Sequence, residues 1–312
     1  MTNNTNQRRT LDWSQYNKAL IHRGRLQMWI SMHALTTWEQ GQSAESPGRP
    51  KTYSDAAIEC MLTFKEVYHL PLRGTQGLMQ SVLNALHSGL KSPDYTTLCR
   101  RRRTIKISLP RCRHEGMHMV VDGTGVKVYG EGEWKVRQHG AGKRRTWRKL
   151  HIGVDEATGE IVAAEVSDNS TADHEVLPKL LAQVPERINQ ISGDGAYDKR
   201  IVYEMLAIRK IKPSIPPRRN AKIWKHANAR GERQARDENL RAIRKKGRKA
   251  WKQEIGYHRR SLAETTMFRF KRICGPSTNA ASYGGQRAEI LTRCKILNVM
   301  TLAASQPNYR IP

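Results

Sequence analysis

The hydrophobic pattern of the chain changes from a helical to a strand-like period at about residue 116, and this change most limits the folds open to it. Beyond that point the pattern predicts three strands, a helix, a strand, a helix, a strand, a basic stretch and further helices. Because a doubly wound fold alternates strands and helices regularly, this order excludes it. The sequence therefore predicts a mixed five-stranded α/β sheet flanked by helices.

Each predicted strand ends at a turn or at the start of a helix. The strands are predicted over His118–Val121, Leu150–Val154, Ile161–Val166, Ile188–Ile191 and Lys212–Ile215. Helices are predicted over residues 173–181, 197–208, 256–272 and 285–304, and residues 218–255 form a basic, mostly helical stretch. The first strand is predicted to end in the turn Asp122-Gly123-Thr124-Gly125, and Asp194-Gly195 follows the fourth strand.

Residues 1–110 are predicted to form a helical N-terminal region. Its helices are predicted over residues 11–46, from Ser54 or Asp55 to Val67, over Thr75–His87, and from Pro93 into the run Arg100–Arg103, with a break at Ser46–Pro50. Two helices joined by a short turn suit a DNA-binding or dimerisation module, although most helical hairpins are packing units. The remaining boundaries are predicted at 111–217, 218–255 and 256–312.

The charge of the chain is strongly positive and unevenly distributed. Lys and Arg number 55 against 28 Asp and Glu, which gives a net charge of +27 and a pI near 10.3. Residues 150–208 carry 4 basic and 11 acidic residues, whereas residues 209–272 carry 22 basic and 5 acidic ones. An acidic centre between basic flanks suits a metal-dependent enzyme that acts on a polyanion. An acidic solvated helix beside basic loops would give the same pattern.

A membrane protein is not expected. The sequence contains no run of roughly 18 uncharged apolar residues, and Met1–Arg9 lacks the apolar core of a signal peptide. The five cysteines are far apart and form no C-x-x-C pair, so neither a disulfide framework nor a zinc ribbon is expected. We expect a cytoplasmic, nucleoid-associated protein with reduced thiols.

Three acidic residues are the predicted catalytic and metal-binding group. If the first and fourth strands are parallel neighbours, Asp122 and Asp194 lie at one end of the sheet, where two carboxylates would suit Mg²⁺. Glu264 is predicted to share one helix face with Tyr257, Arg260 and Lys271. Three carboxylates would hold two metal ions roughly 3.5–4 Å apart. Alternatively, each Asp-Gly pair is turn chemistry and Glu264–Arg260 is an ordinary helix salt bridge.

These residues resemble a known family. The pattern Tyr257-x2-Arg260-x3-Glu264-x6-Lys271, preceded by Asp122-Gly123-Thr124 and Asp194-Gly195-Ala196-Tyr197-Asp198, resembles the signature of bacterial insertion-sequence DDE transposases. The segments Pro93–Arg101 and Arg144–His151 also resemble parts of those proteins. The resemblance covers residues 11–305.

The resemblance implies a ribonuclease H-like catalytic core, with a basic insertion before the last catalytic helix. It implies cleavage at element ends and 3′-hydroxyl attack on target DNA, with Asp122, Asp194 and Glu264 binding two Mg²⁺ ions that Mn²⁺ can replace. The implied partners are terminal inverted repeats, target DNA and a second copy in a homodimer on DNA. The predicted DNA-contacting residues are Tyr257, Arg260, Lys271, Arg148, Lys149 and Trp224.

Three other functions stay open on the sequence alone. A ribonuclease H-like nuclease or resolvase would use the same carboxylates and only hydrolyse DNA. A non-catalytic basic DNA-binding protein would need none of them, and a basic RNA-associated protein is a weaker fit. For Trp224, core packing is an alternative to stacking on an unpaired base. Neither a P-loop nor a nucleophile elbow occurs in the sequence, so ATP-driven and serine-nucleophile mechanisms have no support.

Overall fold

The computed structural model describes residues 12–39, 52–128, 147–225 and 234–305. The predicted break at Ser46–Pro50 and part of the basic stretch, residues 226–233, lie outside these ranges. The chain divides into two compact units, one of residues 1–98 and 298–312 and the other of Cys99–Leu297. Each unit is described by itself.

The first unit is helical, as predicted. Within the range predicted to be helical, residues 11–46, the chain forms three short helices, α1 (Trp13–Arg23), α2 (Leu26–Trp29) and α3 (Met32–Thr36). The chain is extended at Arg25 and at Ser31, which interrupts the helical hydrogen bonding. The Ser31 hydroxyl then accepts from the Ala34 amide and caps α3.

The next helices of this unit agree better with the sequence. Helix α4 (Asp55–Val67) begins after Ser54, whose hydroxyl accepts from the Ala57 amide at 3.0 Å. Helix α5 (Leu72–Ala85) follows Pro71, and α6 (Tyr95–Arg101) begins beyond Asp94, whose carboxylate accepts from the Thr96 amide. Local capping chemistry therefore fixes the starts of α4 and α6.

The second unit contains a six-stranded mixed sheet in the order β3-β2-β1-β4-β5. Its strands are β1 (Met117–Val128), β2 (Trp147–Asp155), β3 (Ile161–Asp168), β4 (Ile188–Ser192), β5 (Lys212–Ser214) and β6 (Ser277–Thr278). Strands β1, β2 and β3 are antiparallel, whereas β4 and β5 continue from β1 in parallel. This is a ribonuclease H-like sheet and confirms the predicted fold class. The short β6, which was not predicted, pairs with the end of β1.

The turn predicted at residues 122–125 is wrong, because β1 continues through it. The strand pairs with β2 as far as Lys127 opposite Trp147. The glycines serve close packing: a Cβ at Gly123 would lie 2.8 Å from Oδ1 of Asp173, and one at Gly125 would lie 3.2 Å from the Trp147 ring. At both positions the absence of a side chain lets a neighbouring side chain approach the strand closely.

Helices cover both faces of the sheet. On one face α7 (Asp173–Ala182) and α8 (Arg200–Ile208) pack on β1 through residues such as Val121, Leu177 and Leu206. On the other, α11 (Ser261–Cys274) and α12 (Tyr283–Ser305) pack through residues such as Val120, Phe270 and Leu291. The basic stretch supplies α9 (Ala235–Lys246) and α10 (Arg248–Glu254). Within the described ranges, none of the helices combines the length and apolar character of a bilayer span.

Candidate active site

Asp122 and Asp194 occupy equivalent positions on neighbouring parallel strands, but Asp122 lies within β1 instead of after its end, where the sequence analysis placed it. Strands β1 and β4 are parallel neighbours with Val120 opposite Ser192, and each aspartate follows two residues later. Asp122 is still within β1, whereas Asp194 begins a 3-10 turn and its Oδ1 accepts from the Ala196 amide at 2.8 Å. Oδ1 of Asp122 accepts from the Gly123 amide at the same distance, 2.8 Å. Backbone amides therefore orient one oxygen of each carboxylate.

Arg260 joins Glu264 to this end of the sheet. Its Nη1 donates to Oδ2 of Asp122 at 3.2 Å, and its Nη2 donates to Oε1 of Glu264. The side chains of Arg260 and Asp122 are 21% and 17% exposed, whereas that of Glu264 is 55% exposed. One guanidinium thus bridges two of the three predicted catalytic carboxylates, the second of which is open to solvent.

The predicted single helix over residues 256–272 is wrong. A 3-10 turn, Tyr257–Arg260, follows the left-handed Gly256 and precedes α11, so the four predicted residues do not lie on one continuous α-helix. A 3-10 turn has three residues per turn, which places Tyr257 and Arg260 on the same side. The half-buried Tyr257 ring lies 4.8 Å from Nζ of Lys252.

The acidic side chains affect one another electrostatically. Burial raises the pKa of Asp122, the Gly123 amide and Arg260 lower it, and Asp194 and Glu264 raise it further. Burial also raises the pKa of Tyr257, with further increases from the same three carboxylates. Asp122 therefore interacts electrostatically with both of the other predicted catalytic acids, Asp194 and Glu264.

The three acidic side chains suit a divalent cation, since carboxylate oxygens are the ligands that Mg²⁺ prefers. In the described part of the chain, however, no three Asp, Glu, His or Cys side chains converge as one ion would require. Arg260 supplies positive charge between Asp122 and Glu264 instead. A divalent cation would compete with this guanidinium for the two carboxylates.

Arg148 and Lys149, two predicted DNA contacts, have protein partners. Arg148 donates from Nε to Oε1 of Gln286 at 2.7 Å and lies over the Tyr283 ring. Lys149 donates to the Thr171 carbonyl at 2.9 Å. Both side chains belong to β2, so the charged groups expected to meet DNA are engaged by neighbouring parts of the same unit.

Lys271 and Trp224, the other predicted DNA contacts outside the turn, differ in exposure. Lys271 is exposed on α11, two turns beyond Glu264. The Trp224 ring is covered by Arg236, whose guanidinium carbon lies 3.7 Å from the ring centre, and meets Tyr203 edge-on. This packing supports the alternative core role for Trp224, and its contact with DNA stays a prediction.

The sequence analysis did not identify three residues that lie near the site, namely His151, Asp173 and Tyr197. Oδ1 of Asp173 lies 3.3 Å from Nδ1 of the fully buried His151 and 3.4 Å from Nζ of Lys149, in the space left by Gly123. The close approach of His151 lowers the pKa of Asp173. Burial raises the pKa of Tyr197, and the charges of Asp173, Asp122 and Asp194 raise it further by smaller amounts. A histidine among the apolar residues of β2 was the available signal, because a buried imidazole needs a polar partner.

The strand order β3-β2-β1-β4-β5, with β1 to β3 antiparallel and β4 and β5 parallel to β1, defines the class of ribonuclease H-like folds. Residues 113–299 match a family model described as a transposase DDE domain, and residues 21–131 match a second model with the same description. The chain belongs to the DDE transposase family. It is a DNA transposase, a polynucleotidyl transferase and endonuclease that depends on a divalent metal.

Solved transposase complexes show weaker similarity. The piggyBac transposase synaptic complex with hairpin DNA is 10% identical, with a TM-score of 0.38, over 94% of this chain and 77% of that one. The Mos1 strand transfer complex is 11% identical, with a TM-score of 0.22, over 86% and 83%. Because both TM-scores are below 0.5, the assignment rests on the family models and the strand order.

Proposed function

We propose that this transposase cuts DNA at the ends of an insertion sequence and joins the resulting 3′-hydroxyl ends to target DNA. Asp122, Asp194 and Glu264 would hold two Mg²⁺ ions, which Mn²⁺ would replace. The observation that carries this proposal is the bridge from Asp122 through Arg260 to Glu264, beside Asp194 at the end of β4. It supports a shared role for three acids that are far apart in the sequence.

The protein's own groups would orient the reacting DNA. Amides of Gly123 and Ala196 hold one oxygen of each aspartate, which fixes the carboxylates before substrate binds. A bound divalent metal would activate water or a 3′-hydroxyl and stabilise the leaving oxygen. Arg260, once released from the carboxylates, would pair with a phosphate of the bound strand. Lys271, exposed beyond Glu264, would pair with a more distant phosphate.

The expected partners are terminal inverted repeats and target DNA. The net charge of +27 supports a polyanion partner, and affinity would fall steeply with added salt. Tyr257, Arg260, Lys271, Arg148 and Lys149 are the proposed DNA contacts, whereas Trp224, which packs against Arg236 and Tyr203, is proposed to belong to the core. A homodimer would bring the two ends of the element together. A cytoplasmic location at the nucleoid would give the protein access to both the inverted repeats and the target DNA.

The test is a strand-joining assay on a plasmid that carries the coding sequence with its own flanking DNA. We expect wild type with Mg²⁺ to give joined products and Glu264→Gln to give none. Glu254→Gln is the matched control, because that side chain is also 55% exposed and pairs with a lysine. Nicks without joining would favour a hydrolytic nuclease, and equal products from wild type and Glu264→Gln would refute the proposed chemistry.

A further inference from the structure

Phe268 is an exposed aromatic residue on the helix that carries Glu264. The chain has three phenylalanines; Phe64 and Phe270 are buried, whereas Phe268 is 68% exposed. Single exposed apolar residues are common and need no explanation by themselves. The position of Phe268 within α11 distinguishes it from such isolated exposed residues.

The exposed face of α11 is otherwise polar. Its exposed residues are Ser261, Glu264, Thr265, Phe268, Lys271 and Arg272. Helical geometry places Phe268 within about 40° of Glu264 and about 60° of Lys271 around the axis. The core-facing side of α11 already carries Met267 and Phe270, so Phe268 is not needed for packing.

The spacing along α11 matches a nucleic-acid strand. At 1.5 Å per residue, Phe268 lies about 6 Å and Lys271 about 10.5 Å beyond Glu264 along the axis. Successive nucleotides stacked as in a duplex rise about 3.4 Å, so the distance from Glu264 to Lys271 spans about three nucleotides of a stacked strand and fewer of an opened, more extended one. A strand with one phosphate near Glu264 and another at Lys271 would therefore pass an intervening nucleoside over Phe268.

We propose that the Phe268 ring stacks on an unpaired nucleobase of the DNA strand bound along α11. This inference rests on the proposed function, because it takes the strand to pass Glu264. A phenyl ring forms no hydrogen bond with phosphate, so its favourable partner on such a strand is the face of a base. Bases in an intact duplex hide their faces within the stack, so the contact requires a strand that is single or opened near the reacting phosphate. Positive charge at the exposed Lys271 and Arg272 favours this occupant.

The test compares two DNA probes in EDTA, where no metal-dependent cleavage occurs. One probe is a short duplex that ends in an unpaired run of thymines, and the other is the same duplex with a blunt end. Fluorescence anisotropy measures the affinity of wild type, Phe268→Ala and Phe268→Trp. Ile208→Ala is the matched control, because it removes an apolar side chain that is 83% exposed on α8.

Phe268→Ala is expected to weaken binding of the overhang probe by about 5- to 150-fold, the equivalent of about 1–3 kcal/mol per stacked base. Blunt-duplex affinity should change by less than about twofold, because no unpaired base is available there and only the outer faces of the terminal base pairs are exposed. Phe268→Trp should retain the affinity for the overhang, and Ile208→Ala should match wild type with both probes. The tryptophan variant shows that an aromatic ring, and not the folding of α11, is responsible.

Three results would overturn the proposal. These are equal overhang affinity of wild type and Phe268→Ala, an equal loss with both probes, or no preference of wild type for the overhang. A loss of DNA-free dimers in Phe268→Ala with unchanged overhang affinity would assign the ring to a second copy of the chain instead. Failure of metal-dependent joining by wild type would refute the proposed function separately, because the stacking test contains no metal.

Discussion

Arg260 donates from Nη1 to Oδ2 of Asp122 at 3.2 Å, across 138 positions of sequence. This bond ties the turn before α11 to the middle of β1, and the other end of the same guanidinium contacts Glu264. A positively charged side chain thus lies between two carboxylates that would otherwise repel each other. The charge balance of this end of the sheet therefore depends on Arg260.

Arg260→Ala should lower the free energy of unfolding in EDTA by about 1–2 kcal/mol. This loss is larger than that expected for an exposed ion pair and smaller than that for a buried one, because the pair with Asp122 is partly buried. Added Mg²⁺ should raise the melting temperature of this variant more than that of wild type, because a cation would replace the missing positive charge. Differential scanning fluorimetry measures both effects. Arg244→Ala, on the exposed side of α9, is the control; equal behaviour of the two variants would contradict the bridging role.

Asp122→Asn should abolish strand joining and retain DNA binding. The substitution removes one negative charge beside the expected phosphate, so affinity at low salt should be equal to or higher than that of wild type. Anisotropy with duplex DNA over a range of salt concentrations measures the change, which should shrink as screening increases. A large loss of affinity would show that Asp122 organises the DNA-binding surface instead of the chemistry.

His114 should give the second unit a pH-dependent stability. Its Nε2 lies 2.9 Å from Oδ2 of the buried Asp155, and this hydrogen bond raises the pKa of His114 above 6.5. Because the folded-state pKa exceeds the unfolded one, the stabilisation is fully present below pH 6.5 and is lost as the pH rises through the folded value. The side chain is 35% exposed, so the effect should stay below about 1 kcal/mol.

Urea unfolding of wild type and His114→Gln at pH 6 and pH 8.5 measures this effect. The difference in unfolding free energy should be larger at pH 6. His258→Gln, which changes an exposed histidine on the 3-10 turn, is the matched control variant. A His114→Gln difference that is the same at both pH values would show that only packing is lost.

The contact of Arg236 with Trp224 should be structural. Arg236 is 3% exposed and donates from Nε to Oδ1 of Asp198 at 2.7 Å, four residues beyond Asp194. Arg236→Ala would leave Asp198 buried without this partner, so a loss of about 3–5 kcal/mol is expected. Trp224→Ala should also destabilise the protein, and Trp224→Phe should restore most of the loss. Urea unfolding measures these changes, and unchanged stability of Trp224→Ala with weakened DNA binding would instead support a DNA contact.

The sequence predicted the parts of the site that depend on strand pattern. Hydrophobic periodicity predicted the strands that carry or precede Asp122 and Asp194, whereas their parallel pairing was only a condition of the argument, and the structure meets that condition. The turn at Gly123 was wrong because the local preference of Asp-Gly for turns is overridden by the pairing of β1 with β2. The approach of Asp173, from a distant helix, gives glycine a second use at this position.

The electrostatic partners were harder to predict. The pair Arg260–Glu264 follows from helical spacing, whereas the bond from Arg260 to Asp122 depends on how α11 packs against β1. The partnership of His151 with Asp173 likewise joins residues whose proximity requires the folded sheet. Tertiary contacts of this kind leave no periodic signal in the sequence.

The most direct test of the three-carboxylate account is Mn²⁺ binding, measured from the electron paramagnetic resonance signal of the free ion. Asp122→Asn, Asp194→Asn and Glu264→Gln should each weaken binding at least about tenfold, since each removes a charged oxygen ligand. Glu254→Gln should bind as wild type does. Wild-type affinity in all three variants would contradict the account, because the acids would then not share a metal.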